Sequence, residues 1–231
     1  MVIHGLQKLT LLDYPGHTAC TVFTGACNWR CPFCHNATLV LDPHSQPVIG
    51  EEELFSFLKK RRGLLDGVAV TGGEPTLQKD LPDFLSRIRD AGFATKLDTN
   101  GSNPAMLREI LRRGLADYVA MDIKTSREHY GTVTGCGGAD IAAVEESAAL
   151  LMENRVDFEF RTTLVRELHS PDDLRAIGEW LCGDEKYFLQ AFKDSGDILG
   201  GRFSAFSGAE MQELRQIVLP FLPRCELRGT D

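Results

Sequence analysis

Residues 25–36 read Gly-Ala-Cys-Asn-Trp-Arg-Cys-Pro-Phe-Cys-His-Asn and contain three cysteines, Cys27, Cys31 and Cys34. Spacings of three and two intervening residues let one loop wrap three thiolates around a common centre, with Pro32 stiffening the turn. Thiolates are soft ligands that suit an iron–sulfur cluster or zinc. A structural site normally closes with four ligands, so three raise a choice between a distant fourth ligand and a position left open for chemistry. His35 is a candidate fourth ligand for a zinc knuckle, but it adjoins Cys34, and both reaching one tetrahedral ion would be awkward. Cys20, Cys136, Cys182 and Cys225 fall in an expected strand, loop, helix and tail, where each reads as a small buried hydrophobe.

Three other clusters could do chemistry. Thr-Gly-Gly-Glu-Pro (71–75) is a tight turn in its plain reading, yet Gly72 and Gly73 also let a ligand approach the backbone, and Glu74 offers an acceptor to a cationic amine. Asp98 in Asp-Thr-Asn-Gly (98–101), and Asp122 and Lys124 in Met-Asp-Ile-Lys (121–124), are charges at the ends of otherwise apolar runs. Charges are seldom buried unless paired or holding an ion, so the choice is a structural salt bridge or a charge frame around an anionic or zwitterionic ligand.

What positions these residues is a repeated rhythm of apolar run, loop and helix. Strands are expected at 20–23, 67–73, 93–101, 117–124, 156–165 and 186–192. Helices are expected at 51–62, 80–92, 103–114, 139–155, 170–183 and about 208–218, before a short apolar tail at 219–228. Asn103 and Ser170 supply caps followed by Pro104 and Pro171, and Gly92 is a stop. The cysteine loop, 71–75, 98–101 and 121–124 follow four successive strands, where parallel α/β sheets gather their ligands. At 231 residues the chain falls short of the roughly 250 typical of a closed eight-unit barrel. An open, partial (β/α)6 barrel is therefore expected, as one domain over 1–231 with its core at about 17–195 and a helix and tail at 196–231. A doubly wound sheet is the structural alternative.

The formal net charge of −8 speaks against general attraction to nucleic acid or anionic membranes. No basic-then-apolar leader and no bilayer-length apolar run are seen, and seven cysteines make no disulfide framework. A cytoplasmic protein with reduced thiols is expected.

Taken jointly and in this order, Cys27-x-x-x-Cys31-x-x-Cys34 with Phe33 before the last cysteine, and Gly72-Gly73-Glu74, resemble the motifs of radical S-adenosylmethionine enzymes. The segments 9–16, 34–36, 97–101 and 121–124 are similar to those of glycyl-radical-enzyme activating enzymes. Residues 71–85, 96–104 and 117–124 look most like anaerobic ribonucleoside-triphosphate reductase activating proteins. The resemblance implies that three cysteines hold three irons of a 4Fe–4S cluster, leaving the fourth for S-adenosylmethionine. It implies that Gly72, Gly73 and Glu74 hold the methionine amine, that Lys124 pairs with its carboxylate, and that backbone around Phe33 meets the adenine. It implies a monovalent cation between Asp98 and Asp122, a flavodoxin- or ferredoxin-type electron donor, and a glycyl radical enzyme as partner. Two departures stand out. Ala26 precedes Cys27 where many relatives have glycine, and Gln190 stands where some present a histidine. Outside this reading, a radical enzyme acting on another glycyl radical enzyme or on a small molecule, and a zinc-stabilised non-catalytic binding module, are the alternatives.

Overall fold

A computed structural model describes residues 1–153, 156–183, 185–194, 196 and 198–230. Eight strands form one sheet in strict sequence order: β1 (Ile3–Thr10), β2 (Ala19–Thr24), β3 (Gly67–Gly72), β4 (Ala94–Thr99), β5 (Tyr118–Asp122), β6 (Asp157–Leu164), β7 (Tyr187–Ala191) and β8 (Cys225–Arg228). Strands β2 to β8 are parallel, and β1 pairs antiparallel with β2. No pairing joins β8 to β1 among the described residues, so the sheet stays open. Because the order never reverses, there is no switch point of the doubly wound kind. The expected partial barrel is observed, with six predicted strands at its centre and two more at its edges.

The helices are α1 (Ala37–Leu41), α2 (Glu51–Lys60), α3 (Leu81–Asp90), α4 (Pro104–Arg112), α5 (Tyr130–Val133), α6 (Ile141–Met152), α7 (Pro171–Trp180) and α8 (Gly208–Val218). Helix α2 opens on Glu51, Glu52 and Glu53 and closes on Lys59 and Lys60, which complements the helix dipole. Asn103 caps α4 by accepting from the Met106 amide, and Ser170 forms a capping box with Asp173 at α7. The helix expected over 139–155 is α6, and positions 154–155 lie outside the described residues, as does the core limit at 195. The apolar tail is corrected to a strand: Cys225–Arg228 pairs in register with Tyr187–Gln190. No helix is long and apolar enough to cross a membrane among the described residues.

Successive strand residues point to opposite faces of a sheet. One face carries Val68, Val70, Leu97, Val119, Met121, Phe158, Phe160 and Leu189, all buried in one cluster with Leu54, Leu85, Ile110, Val144 and Ile177 from the helices. The alternate positions carry Lys96, Asp98, Asp122 and Arg161, which pair with one another on the inner face, and Glu159, which pairs with Arg228. The helices thus supply the dry packing, and the inside of the partial barrel is charged.

Candidate active site

The cysteine loop leaves the end of β2, and the Gly-Gly-Glu turn leaves the end of β3. These two strands pair as far as Thr24 opposite Gly72, and the backbone continues that pairing: the Gly73 amide donates to the Thr24 carbonyl (2.9 Å) and the Glu74 amide to the Ala26 carbonyl (2.8 Å). The contact is close enough to need glycine. A Cβ on Gly73 would lie 1.8 Å from the Ala26 carbonyl oxygen, and one on Gly72, at φ +117°, would lie 2.3 Å from that of Thr24. Asn36 ties the far end of the loop to the same turn by donating to the Gly72 carbonyl at 2.8 Å. The residue squeezed between them, Ala26, is at φ +64°, where a side chain is strained.

A cavity of about 290 Å³ opens at these strand ends. Its walls include Cys27, Cys31, Phe33, Cys34, Gly72, Gly73, Glu74, Asp98, Asp122 and Lys124, so every candidate residue named from the sequence meets at one place. The wall also includes Trp29, Asn36, Asn100, Arg161, Thr163 and Gln190. Burial pushes the Cys27 thiol up to about 11 and the Cys31 thiol to about 12. Cys27 Sγ accepts the Trp29 amide at 3.4 Å and the Asn100 side-chain amide at 3.8 Å. Phe33 is buried, with its ring edge-on to His169.

His35 does not join the cysteines. Its Nε2 lies 2.7 Å from the Lys193 carbonyl and its ring stacks on Phe192. Among the described residues no three His, Cys, Asp or Glu side chains converge on one ion-sized point. Of the scattered cysteines, Cys20 and Cys225 are buried as expected and Cys136 is half-buried. Cys182 is corrected: it lies past the end of α7 and is exposed.

The acids sort into two environments. Glu74 is fully buried, and its carboxylate accepts four hydrogen bonds: Oε1 from the Thr76 amide (3.1 Å), Thr76 Oγ1 (2.5 Å) and Thr99 Oγ1 (2.8 Å), and Oε2 from the Asn100 amide (2.7 Å). It forms no ion pair among the described residues, and burial pushes its pKa up against the pull of those donors. Asp98 and Asp122, by contrast, are bridged by one guanidinium, with Arg161 Nη2 2.9 Å from Asp98 and Nε 2.5 Å from Asp122. Lys96 closes the row on Asp98, and Lys124 closes it at 2.8 Å from Asp122. Although burial opposes it, the pairing with Arg161 and its lysine holds each of these carboxylates below the usual range. Arg161 is the protein's own cation between Asp98 and Asp122, the two carboxylates named for a monovalent cation.

Arg161, Asn100 and His169 were not singled out in the sequence. His169 is buried, accepts the Val165 amide at Nδ1 (3.0 Å), and donates from Nε2 to the Lys124 carbonyl (2.8 Å), so it fixes the strand end that carries Lys124. A signal for Arg161 exists in Phe-Glu-Phe-Arg (158–161), where apolar and charged residues alternate in a strand expected to be dry on both faces. Nothing marks His169.

A profile of the Radical SAM superfamily matches residues 21–180, which hold the cysteine loop, the Gly-Gly-Glu turn and the charged row. The chain belongs to the radical SAM superfamily. It is an enzyme of that class, and its cofactors are a 4Fe–4S cluster and S-adenosylmethionine. Three thiols, with no fourth among the described wall residues, facing a polar cavity lined by the unpaired Glu74 carboxylate and by the paired row of Asp98, Asp122, Lys124 and Arg161, fit both groups. Over 98% of its length the chain is 30% identical to a Methanocaldococcus jannaschii protein named for glycyl-radical enzyme activation, of which it covers 95%. It is 33% identical to the pyruvate formate-lyase-activating enzyme of Clostridium pasteurianum, over 58% of each chain. The fold superposes on Streptococcus suis SuiB bound to S-adenosylmethionine with a TM-score of 0.70 at 12% identity, over 89% of this chain and 49% of that one. A domain of a Bacteroides vulgatus pyruvate-formate lyase-activating enzyme gives 0.56 at 19% identity, over 71% of this chain and 99% of that one.

Proposed function

We propose that this radical SAM enzyme is a glycyl-radical-enzyme activating enzyme, a single domain working in the anaerobic cytoplasm on an anaerobic ribonucleoside-triphosphate reductase. The observation that carries the reading is the set of three cysteines, without a fourth, on the rim of a cavity with two oppositely charged sides. When bound, the reduced cluster and S-adenosylmethionine supply a 5′-deoxyadenosyl radical able to take a hydrogen atom from a glycine α-carbon. Cys27, Cys31 and Cys34 hold the cluster.

The charge pattern favours an amino-acid headgroup. Lys96, Arg161 and Lys124 outnumber Asp98 and Asp122, so the row carries a surplus positive charge that suits a carboxylate, with Lys124 nearest to accept it. Glu74 supplies the uncompensated negative charge for the ammonium: Oε2 accepts a single hydrogen bond and keeps a lone pair. Gly72 and Gly73 bring backbone close beside it, and backbone around Phe33 borders the space for the adenine. The electron comes from a flavodoxin- or ferredoxin-type donor.

The test mixes reduced protein, S-adenosylmethionine and an anaerobic ribonucleotide reductase from the same source and looks for the glycyl radical doublet by electron paramagnetic resonance. A doublet on the reductase is the expected result. Its absence, with methionine still released, removes this partner and leaves the radical chemistry standing. Another glycyl radical enzyme is the second reading, favoured by the likeness to the Clostridium pasteurianum enzyme.

A further inference from the structure

The main cavity reaches β7 at Gln190. His35 and Gln190 line it and also line a second cavity of about 360 Å³, whose other walls are Ala191, Lys193, Arg228 and Gly229. The two spaces therefore adjoin across these side chains. The second one reaches the last strand of the sheet, and β8 pairs only with β7, leaving its other edge unpaired among the described residues.

The chemistry of this groove differs from that of the cavity behind it. It has no acidic wall residue and two basic ones, in a chain of net charge −8. Arg228 lies over the Phe188 ring and is held by Glu159 through Nη1 (2.6 Å) and Nη2 (2.8 Å), which uses only part of its five N–H donors. Lys193 is exposed and has no ion pair among the described residues, and its aliphatic stem lies beside Gly229. The neighbouring acid, Asp194, turns its carboxylate to the Gly196 amide at 2.8 Å. Gln190, at the junction, has a side-chain amide with no hydrogen-bond partner among the described residues. That amide offers both a donor and an acceptor, the complement of a peptide bond.

We infer that this groove receives an extended, acidic segment of the protein substrate. Gln190 pairs with a peptide bond where the segment enters the main cavity, and Lys193 with Arg228 takes an aspartate or glutamate outside it. That the substrate is a protein segment rests on the activase reading; the charge of the groove does not.

Binding is measured on the cluster-loaded protein without reductant, so that no turnover occurs, by fluorescence anisotropy of short labelled peptides. Each carries a central glycine flanked either by aspartates or by lysines. The aspartate peptide binds about three- to fivefold more tightly at low salt, as a charge contact with an exposed lysine gives. The gap closes near 1 M salt, where the screening length is about 3 Å. Lys193→Glu abolishes the preference, Lys193→Arg keeps it, and Gln190→Leu weakens both peptides alike. Equal binding of the two peptides, an unchanged preference in Lys193→Glu, or full displacement by inorganic phosphate at equal concentration would overturn the proposal. A radical on the reductase without any acid preference sinks the groove alone, whereas acid preference without a radical sinks only the partner assignment.

Discussion

Replacing Glu74 by glutamine separates two roles that the same carboxylate can play. If Glu74 only meets the methionine ammonium, Glu74→Gln lowers cofactor affinity and leaves the fold untouched. The hydrogen bonds say otherwise. Two backbone amides, of Thr76 and Asn100, donate to different carboxylate oxygens at 3.1 and 2.7 Å. Glutamine has one oxygen, so in either flip state one fixed N–H faces an NH2 group in a fully buried site. An unsatisfied buried donor costs about 1–3 kcal/mol, and the surviving bonds lose their charge assistance. Removing a buried charge works the other way, but the four donors already offset much of its desolvation. The net expectation is a loss of about 2 kcal/mol, which in a chain of this size lowers Tm by about 4–8 °C. Scanning calorimetry on cluster-loaded protein with no S-adenosylmethionine present isolates this effect from ligand binding. Melting within about 1 °C of the parent, together with weakened cofactor binding, would refute the reasoning and make Glu74 a ligand contact alone.

Ala26→Gly relieves left-handed strain of about 1–2 kcal/mol, set against about 0.4–1 kcal/mol of added unfolded-chain entropy, so the variant is expected to melt about 2 °C higher. A lower melting point in calorimetry would mean that the methyl packing outweighs the strain. Asn100→Ala removes an N–H donor to Cys27 Sγ and should shift the cluster midpoint about 20–60 mV more negative in a redox titration, at one electron per cluster. Burial lowers the folded pKa of His169 below its ordinary value of 6.5. Its contribution to stability is therefore complete above pH 6.5 and is lost as pH falls towards the folded value, by up to about 1.4 kcal/mol per pH unit. Urea midpoints of the parent minus those of His169→Gln, compared between neutral and mildly acidic buffer, should show that slope; a flat difference would count against it.

The catalytic end of the fold was legible because its residues are odd for their places. Cysteines with three and two residues between them, paired glycines before Glu74, and charges ending apolar runs stand out against a parallel sheet. The edges were not. In β1, Ile3–Thr10 has mixed burial with no alternation, since it pairs on one side only, and β8 has just four residues, too few to show a period. Ala26 was noticed as a departure, but its strain follows from the clamp by Gly73, which sequence does not show. The ion pairs of Asp98 and Asp122 run through Arg161, a residue 39 positions beyond Asp122 that meets them only because β4, β5 and β6 are neighbours.

The inner row has a consequence for the order in which the chain settles. Each strand pairs with the one made just before it, so the sheet can be laid down progressively during synthesis. Glu159 breaks that progression. It sits in β6, wholly buried, with a hydrogen bond from Tyr118 and its ionic partner Arg228 69 residues later, at the end of β8. Until that last strand emerges, the interior holds a carboxylate without its counter-ion, a state that costs several kcal/mol in a dry setting. A nascent chain lacking β8 should therefore keep its interior wet and loosely closed, and the cavity acquires its final walls only when Arg228 docks.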